Sequence, residues 1–252
     1  MRVLILGGTT EASALARLLA GDSRFEATLS LAGRTIAPKP QPIATRIGGF
    51  GGADGLAGFI TEQGIEAVID ATHPYAPHIS ANAVVACARA GVALASFVRP
   101  AWTRAPGDAW EIVPTAVAAA LALGKAPRRV FLSLGRQELH FFAAITQHHY
   151  IARLIEPPQG ARPHNLVLLH QRGPFDRDAE LRLLRERKID VIVSRNSGGS
   201  ATYPKIEAAR ALGLPVVMIT RPAKPVGHVV RSAEEAVMWL AHERPARSPR
   251  GV

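Results

Sequence analysis

Val3-Leu4-Ile5-Leu6-Gly7-Gly8-Thr9-Thr10-Glu11-Ala12-Ser13-Ala14-Leu15-Ala16-Arg17-Leu18-Leu19 stands at the head of the chain: an apolar strand, a glycine turn and a helical stretch in direct succession. Glycines let a backbone approach an anion closely, threonine hydroxyls cap helices, and the exposed N–H groups of a first helical turn attract phosphate. This is the strand, turn and helix context that a dinucleotide-binding fold requires. The turn lacks a full G-x-G-x-x-G, so taken alone it is also readable as a tight turn without a ligand.

Moving outward, apolar strand-length runs alternate with helix-length stretches along the whole chain. That alternation predicts an α/β fold with parallel sheets and crossover helices. Strands are expected near residues 2–6, 26–31, 43–47, 67–71 and 93–98, with helices near 10–20, 54–63 and 77–90. Arg99-Pro100-Ala101-Trp102-Thr103-Arg104-Ala105-Pro106-Gly107-Asp108 then breaks the periodicity, and a domain boundary is expected there. A second α/β run follows, with strands near 110–113, 129–134, 149–154, 166–170, 190–194 and 215–219 and helices near 115–123, 177–186, 202–212 and 232–241. The expected units are therefore 1–98 and 108–243, followed by a loose basic tail over 244–252.

A chain of 252 residues with 48% hydrophobic and 20% charged residues is ordinary globular protein, which excludes disorder, collagen and disulfide scaffolds as the main description. The single cysteine, Cys87, has no internal disulfide partner, which fits a reducing cytosol. No apolar run approaches the ~20 residues of a membrane span, and Met1-Arg2 leads into a strand with no cleavable signal pattern. A cytoplasmic protein, monomeric and without a membrane partner, is expected.

The net charge of +10 is unevenly placed: residues 1–120 hold 9 basic and 9 acidic residues, while residues 121–252 hold 21 and 11. A field of that sign gathers polyanions near the C-terminal half, whether nucleic acid, an acidic membrane surface or a small molecule with many carboxylates or phosphates.

Four strand ends carry the candidate cofactor residues, and parallel strands send such turns to one edge. The second strand runs Thr28-Leu29-Ser30-Leu31-Ala32-Gly33-Arg34, without the carboxylate that an NAD site places there for the ribose 2′-OH. Ser30 can donate to a 2′-phosphate and Arg34 can pair with it, so NADP(H) is preferred; otherwise Arg34 is a surface arginine. Gly48-Gly49-Phe50-Gly51-Gly52 follows the third strand and Asp70-Ala71-Thr72-His73-Pro74-Tyr75-Ala76 closes the fourth. Thr72 and His73 suit the nicotinamide end, and His73 and Tyr75 are candidate proton donors, with solvent as the alternative.

In the basic half, Arg195-Asn196-Ser197-Gly198-Gly199-Ser200-Ala201-Thr202 follows a strand and precedes a helix bearing Lys205. Ser133 and Arg136 close another strand, and Arg221 a third. Arginines at three parallel strand ends form a natural receiver for carboxylates. A P-loop, a Gly-x-Ser-x-Gly elbow and a Cys/His metal framework are all missing, and His148-His149 point to opposite faces of a strand, so no metal is expected.

Leu6-Gly7-Gly8-Thr9-Thr10-Glu11-Ala12, Asp70 to Ala76, and Arg195 to Gly199 with Thr202 and Lys205 together resemble the precorrin-6A reductase family of cobalamin (vitamin B12) biosynthesis, from Val3 to about Ala241. The resemblance implies two Rossmann-like parallel-sheet domains with the active site in the cleft between them. It also implies NADPH-dependent reduction of one double bond of the precorrin-6A macrocycle, with hydride delivered to C19 to give precorrin-6B. On that basis Gly7, Gly8, Thr9, Thr10 and Glu11 are assigned to the pyrophosphate and ribose, and Ser30 and Arg34 to the 2′-phosphate. Gly48, Gly49, Phe50, Gly51, Thr72 and His73 are assigned to the rest of the cofactor. Ser133, Arg136, Arg195, Asn196, Ser197, Thr202, Lys205 and Arg221 are assigned to the substrate carboxylates.

Two rivals remain at this point. One is an NADPH enzyme acting on another polyanionic metabolite; the other is a nucleic-acid-binding module, against which stands an aromatic content of 6% with no basic helix interleaved with stacking side chains. If Arg34 reads the 2′-phosphate, Arg34→Ala weakens NADPH binding by ~1.5–3 kcal/mol and NADH far less. Titration of both nucleotides checks this, and equal losses count against the assignment.

Overall fold

The structure, a computed structural model, describes residues 1–33, 39–158 and 160–243. It divides into two compact units, residues 1–99 together with the segment from Ala223 onward, and residues 100–222. Arg34 and the tail beyond residue 243 lie outside the described residues.

The first unit opens with β1 (Arg2–Leu6), α1 (Thr10–Ala20), β2 (Glu26–Leu31), β3 (Ala44–Ile47), α2 (Ala53–Glu62), β4 (Ala67–Asp70), α3 (Pro77–Ala90) and β5 (Ala93–Phe97). The first five strands pair in parallel in the order β5-β4-β1-β2-β3. β1 is central because Val3, Leu4, Ile5 and Leu6 are apolar on both faces, as a strand covered from both sides must be. Val3 and Ile5 pack with Leu15 and Leu19 of α1, whereas Leu4 and Leu6 pack with Leu56 and Ile60 of α2 and with Ala83 of α3.

The second unit contains β6 (Trp110–Val113), α4 (Ala116–Ala122), β7 (Arg129–Ser133), a 3₁₀ helix (Arg136–Phe142), β8 (His149–Leu154), β9 (Leu166–His170), α5 (Arg177–Glu186), β10 (Val191–Arg195), α6 (Pro204–Leu212) and β11 (Val216–Ile219). Its sheet is also parallel, in the order β6-β11-β10-β7-β8-β9. Phe131, Ile151 and Ile192 pack against Leu184 of α5 and Ile206 of α6.

The chain then returns. β12 (His228–Val230) pairs in parallel with β5, and α7 (Ala233–His242) lays Ala236, Trp239 and Leu240 into the core that α1 covers. This corrects the expectation that the second unit runs to residue 243. A three-residue strand is too short to announce itself by alternation, and only its pairing reveals which sheet it completes. Each sheet thus has the strand order 3-2-1-4-5-6 of a doubly wound nucleotide-binding fold. The sixth place is filled in the first sheet by the last strand of the chain, and in the second by β6, the strand that follows β5. The stretch over 99–108 is likewise not a loose linker: Trp102 N donates to Asn196 Oδ1 at 2.7 Å and Trp102 Nε1 to Gly199 O at 2.8 Å.

The boundary moves charge as well. Residues 100–222 hold 17 basic and 10 acidic residues, and the remainder of the chain 13 and 10, so the second unit stays the more basic by a smaller margin. No helix among the described residues is long and apolar enough to cross a membrane.

Because α7 belongs to the first core, Trp239→Ala destabilises the chain by about 3 kcal/mol through lost burial and the cavity left behind. Urea unfolding measures this, and an unchanged midpoint would contradict the placement of α7.

Candidate functional site

The turn after β1 is held from three directions. Gly7 N donates to Ser30 O at 2.9 Å, and a Cβ on Gly7 would lie 2.5 Å from Leu29 Cδ1, so only glycine allows α1 to approach β2 this closely. Gly8 has φ +109°, a conformation that other residues rarely adopt, and open space where a Cβ would project. Thr9 caps α1 by accepting from Ala12 N at 3.1 Å, and its hydroxyl donates to Ala71 O at 2.7 Å, which ties the start of the helix to the end of β4. The first-turn N–H groups of α1 therefore lie beside a glycine surface with room for an anion.

Glu11 departs from its expected free role. Its carboxylate accepts from Arg99 Nη1 at 2.8 Å and from the Thr10 hydroxyl at 3.0 Å. Burial alone would raise the Glu11 pKa, but the Arg99 charge and the hydrogen bonds outweigh it and hold the carboxyl below the usual glutamate range.

Ser30 ends β2 and is 6% exposed. Its Oγ accepts from Arg46 Nη1 at 2.8 Å; Arg46 also donates to Gly48 O at 3.0 Å and Gly49 O at 3.1 Å. The Arg46 guanidinium lies 3.9 Å from the Phe50 ring centroid. Gly48, Gly49, Phe50 and Gly51 are thus organised around an arginine that motif reading passed over. Its signal was register: in a parallel pair β2 and β3 set Ser30 opposite Arg46.

At the end of β4 the Asp70 carboxylate is 1% exposed. Its Oδ1 accepts from Thr72 N at 3.0 Å and from Thr72 Oγ1 at 2.6 Å, and Oδ2 lies 3.2 Å from Lys224 Nζ. Lys224 also donates to Thr72 Oγ1 at 3.1 Å. Sequence reading missed this lysine because it precedes the unexpected β12. Next along the loop, His73 Nδ1 accepts from Tyr75 N at 3.2 Å, which leaves the neutral ring proton on Nε2, and the two rings lie 5.7 Å apart. The expected cofactor residues other than Arg34 therefore share the C-terminal edge of the first sheet.

The second sheet treats its candidates unequally. Arg195 pairs with Glu138 of the 3₁₀ helix. Arg221 donates to the carbonyls of Asn196, Ser197 and Pro100 at 2.9, 3.1 and 3.0 Å, and both ends of the Asn196 amide bond the backbone of Trp102. These two residues brace the loop. Lys205 is 3% exposed, donates to Thr202 O at 2.9 Å and lies 4.7 Å from the Trp102 ring, so it does not reach an incoming carboxylate as expected. Burial lowers its pKa to about 7, partly offset by Glu180. Glu180 itself is buried in an ion pair with Arg153 at 2.7 Å. Arg136, by contrast, is half-buried and makes no ion pair among the described residues, and Ser133 stands near it at the end of β7. No group of three or more potential metal ligands occurs among the described residues, and His148 is fully buried with Nδ1 accepting from Arg128 N.

Residues 2–241 match the family described as precorrin-6x reductase CbiJ/CobK. The chain belongs to that family. A precorrin-6A reductase of Rhodobacter capsulatus is 50% identical over 252 residues, covering 100% of this chain and 99% of that protein. One from a Sinorhizobium species is 52% identical over 243 residues, covering 96% and 93%. The solved structure of a CobK precorrin-6A reductase superposes with a TM-score of 0.92 at 49% identity, covering both chains completely. The two parallel sheets described above are thus the architecture of this reductase family.

The placement of Lys205 has a pH consequence. Its folded pKa lies below that of a lysine in the unfolded chain, so the native state binds fewer protons and gains stability as pH rises from about 7 toward the ordinary lysine range. Lys205→Met removes that gain: relative to wild type, the variant is favoured near pH 7 and loses ground by pH ~9. Melting curves of both chains across this range decide it, and a constant difference counts against a buried, depressed lysine.

Proposed function

We propose that this chain is an NADPH-dependent precorrin-6A reductase of cobalamin biosynthesis, acting as a cytoplasmic monomer and delivering hydride to C19 of the macrocycle to give precorrin-6B. The observation that carries the cofactor choice is the end of β2, where Ser30 and an arginine guanidinium meet and no carboxylate stands among the described residues. A 2′-phosphate is favoured there and a free 2′-hydroxyl gains no acceptor.

NADPH, when bound, supplies the hydride. The chain's part is to bind and orient. The turn Gly7-Gly8-Thr9 and the first N–H groups of α1 receive the pyrophosphate, with Gly8 leaving the space that a Cβ would fill. Thr10 and Glu11 flank it, Glu11 acting through Arg99. Thr72, held by Asp70 and Lys224, and His73 border the nicotinamide end. His73 Nε2–H and the Tyr75 hydroxyl are the side-chain groups able to hold a proton for the reduced carbon's neighbour, with solvent as the other source.

The substrate is a polycarboxylate, and the more basic second unit suits it. Arg136 and Ser133 receive carboxylates directly, Arg195 does so with Glu138 tempering its charge, and Ser197 and Thr202 add hydroxyls. Asn196, Arg221 and Lys205 shape the loop that carries them.

Incubation with NADPH and precorrin-6A should consume the reduced-nicotinamide absorbance and yield precorrin-6B; a folded sample with no turnover would sink the proposal. In Arg136→Ala the KM for the tetrapyrrole should rise roughly tenfold while NADPH affinity stays unchanged. Loss of NADPH binding in that variant would refute the assignment of Arg136 to the substrate.

A further inference from the structure

Arg46 is the one cation at the cofactor edge whose contacts are all neutral. Its partners are the Ser30 hydroxyl and the carbonyls of Gly48 and Gly49, and it forms no ion pair among the described residues. Arg99 at the same edge is balanced by Glu11, and Lys224 by Asp70. The Arg46 guanidinium is also fixed in orientation, at 3.9 Å from the centroid of Phe50 and 5.0 Å from that of Phe59, two rings that pack edge to face at 5.3 Å. Phe50 in turn is locked by α2: a Cβ on Gly55 would collide with the Phe50 carbonyl oxygen, so glycine there admits the loop.

A cation that is partly desolvated, held rigid and left without a counter-charge is a preorganised anion receptor. A guanidinium has five N–H donors, and the bonds described engage Nη1 and Nη2 and leave Nε–H uncommitted. Ser30, at 6% exposure, is too enclosed to be the main contact, whereas Arg46 is half-buried and reachable. The Ser30 hydroxyl accepts from Arg46 and so retains its own hydrogen for donation.

We infer that Arg46, presented by Ser30 and the Phe50 ring, is a direct contact for the 2′-phosphate of the cofactor and sets the preference for NADPH over NADH, with Ser30 serving to position it. This rests on the NADPH reading above. It adds a residue supplied by β3, independent of Arg34, and it converts the Gly48 to Gly51 loop from a cofactor contact into the frame of a phosphate receptor.

The test measures binding of NADPH, NADH, 2′,5′-ADP and 5′-AMP to the full chain and to Arg46→Met and Arg46→Lys by calorimetry, with a melting curve for each protein. Expected for Arg46→Met is a loss of roughly tenfold to a hundredfold for NADPH and 2′,5′-ADP, with NADH and 5′-AMP changed less than about threefold. Arg46→Lys keeps the charge but not the stacked fork, so it should fall between the two; it also decides the matter if the methionine variant does not fold. Equal losses for phosphorylated and unphosphorylated nucleotides would show Arg46 to be a mere brace of the loop and overturn the inference. Wild-type protein that binds NADH as well as NADPH, or neither, would instead overturn the NADPH reading beneath it.

Discussion

A carboxylate buried at the end of a central strand must be met by a cation or protonate, because an unpaired buried charge costs several kcal/mol. Asp70 is met by Lys224, contributed from more than 150 residues further along the chain. That contact holds the returning segment against the end of β4, immediately before β12 joins β5 and α7 closes over β1. The sixth strand of the first sheet, the cover over Val3 and Ile5, and the position of Thr72 all lie downstream of this one pairing. A core assembled in this way is built from both ends of the sequence, so neither end folds as an isolated unit.

Around that core the two edges differ in how their charges are used. At the first edge the acids and bases largely cancel in pairs, Glu11 with Arg99 and Asp70 with Lys224, and Arg46 is left with neutral partners. Anion affinity there depends on local donors: the α1 N-terminus, the glycine turn and that guanidinium. At the second edge the positive charge is more plentiful, yet several of its members serve the loop. Arg221 is bonded to three carbonyls and Lys205 is buried beneath Trp102. A count of arginines therefore overstates the receiving capacity of that edge, while position and partner identify Arg136 and the Glu138-paired Arg195.

Much of this was legible in the amino-acid order. Continuous apolar runs such as Val3-Leu4-Ile5-Leu6 and Val191-Ile192-Val193 mark strands buried on both faces, and the expected elements match the observed ones within a residue or two. Glycine turns and polar strand ends located the functional edge, because parallel pairing leaves them nowhere else to go. Arg46 and Lys224 escaped notice since neither sits in a motif; one is defined by register with Ser30, the other by a long-range ion pair. Glu11 and Lys205 were recognised by neighbourhood in sequence, but their partners Arg99 and Glu180 lie too far along the chain to be inferred.

By itself the sequence determined the fold class, the strand and helix succession, the glycine turn that only a residue without a side chain can make, and the family. Those are local properties, set by side-chain periodicity and backbone conformational limits. Tertiary structure alone decided that the chain crosses back to complete its first sheet, and which charges are neutralised and which remain. Pairing and burial depend on distances between residues remote in sequence, and no local pattern encodes them.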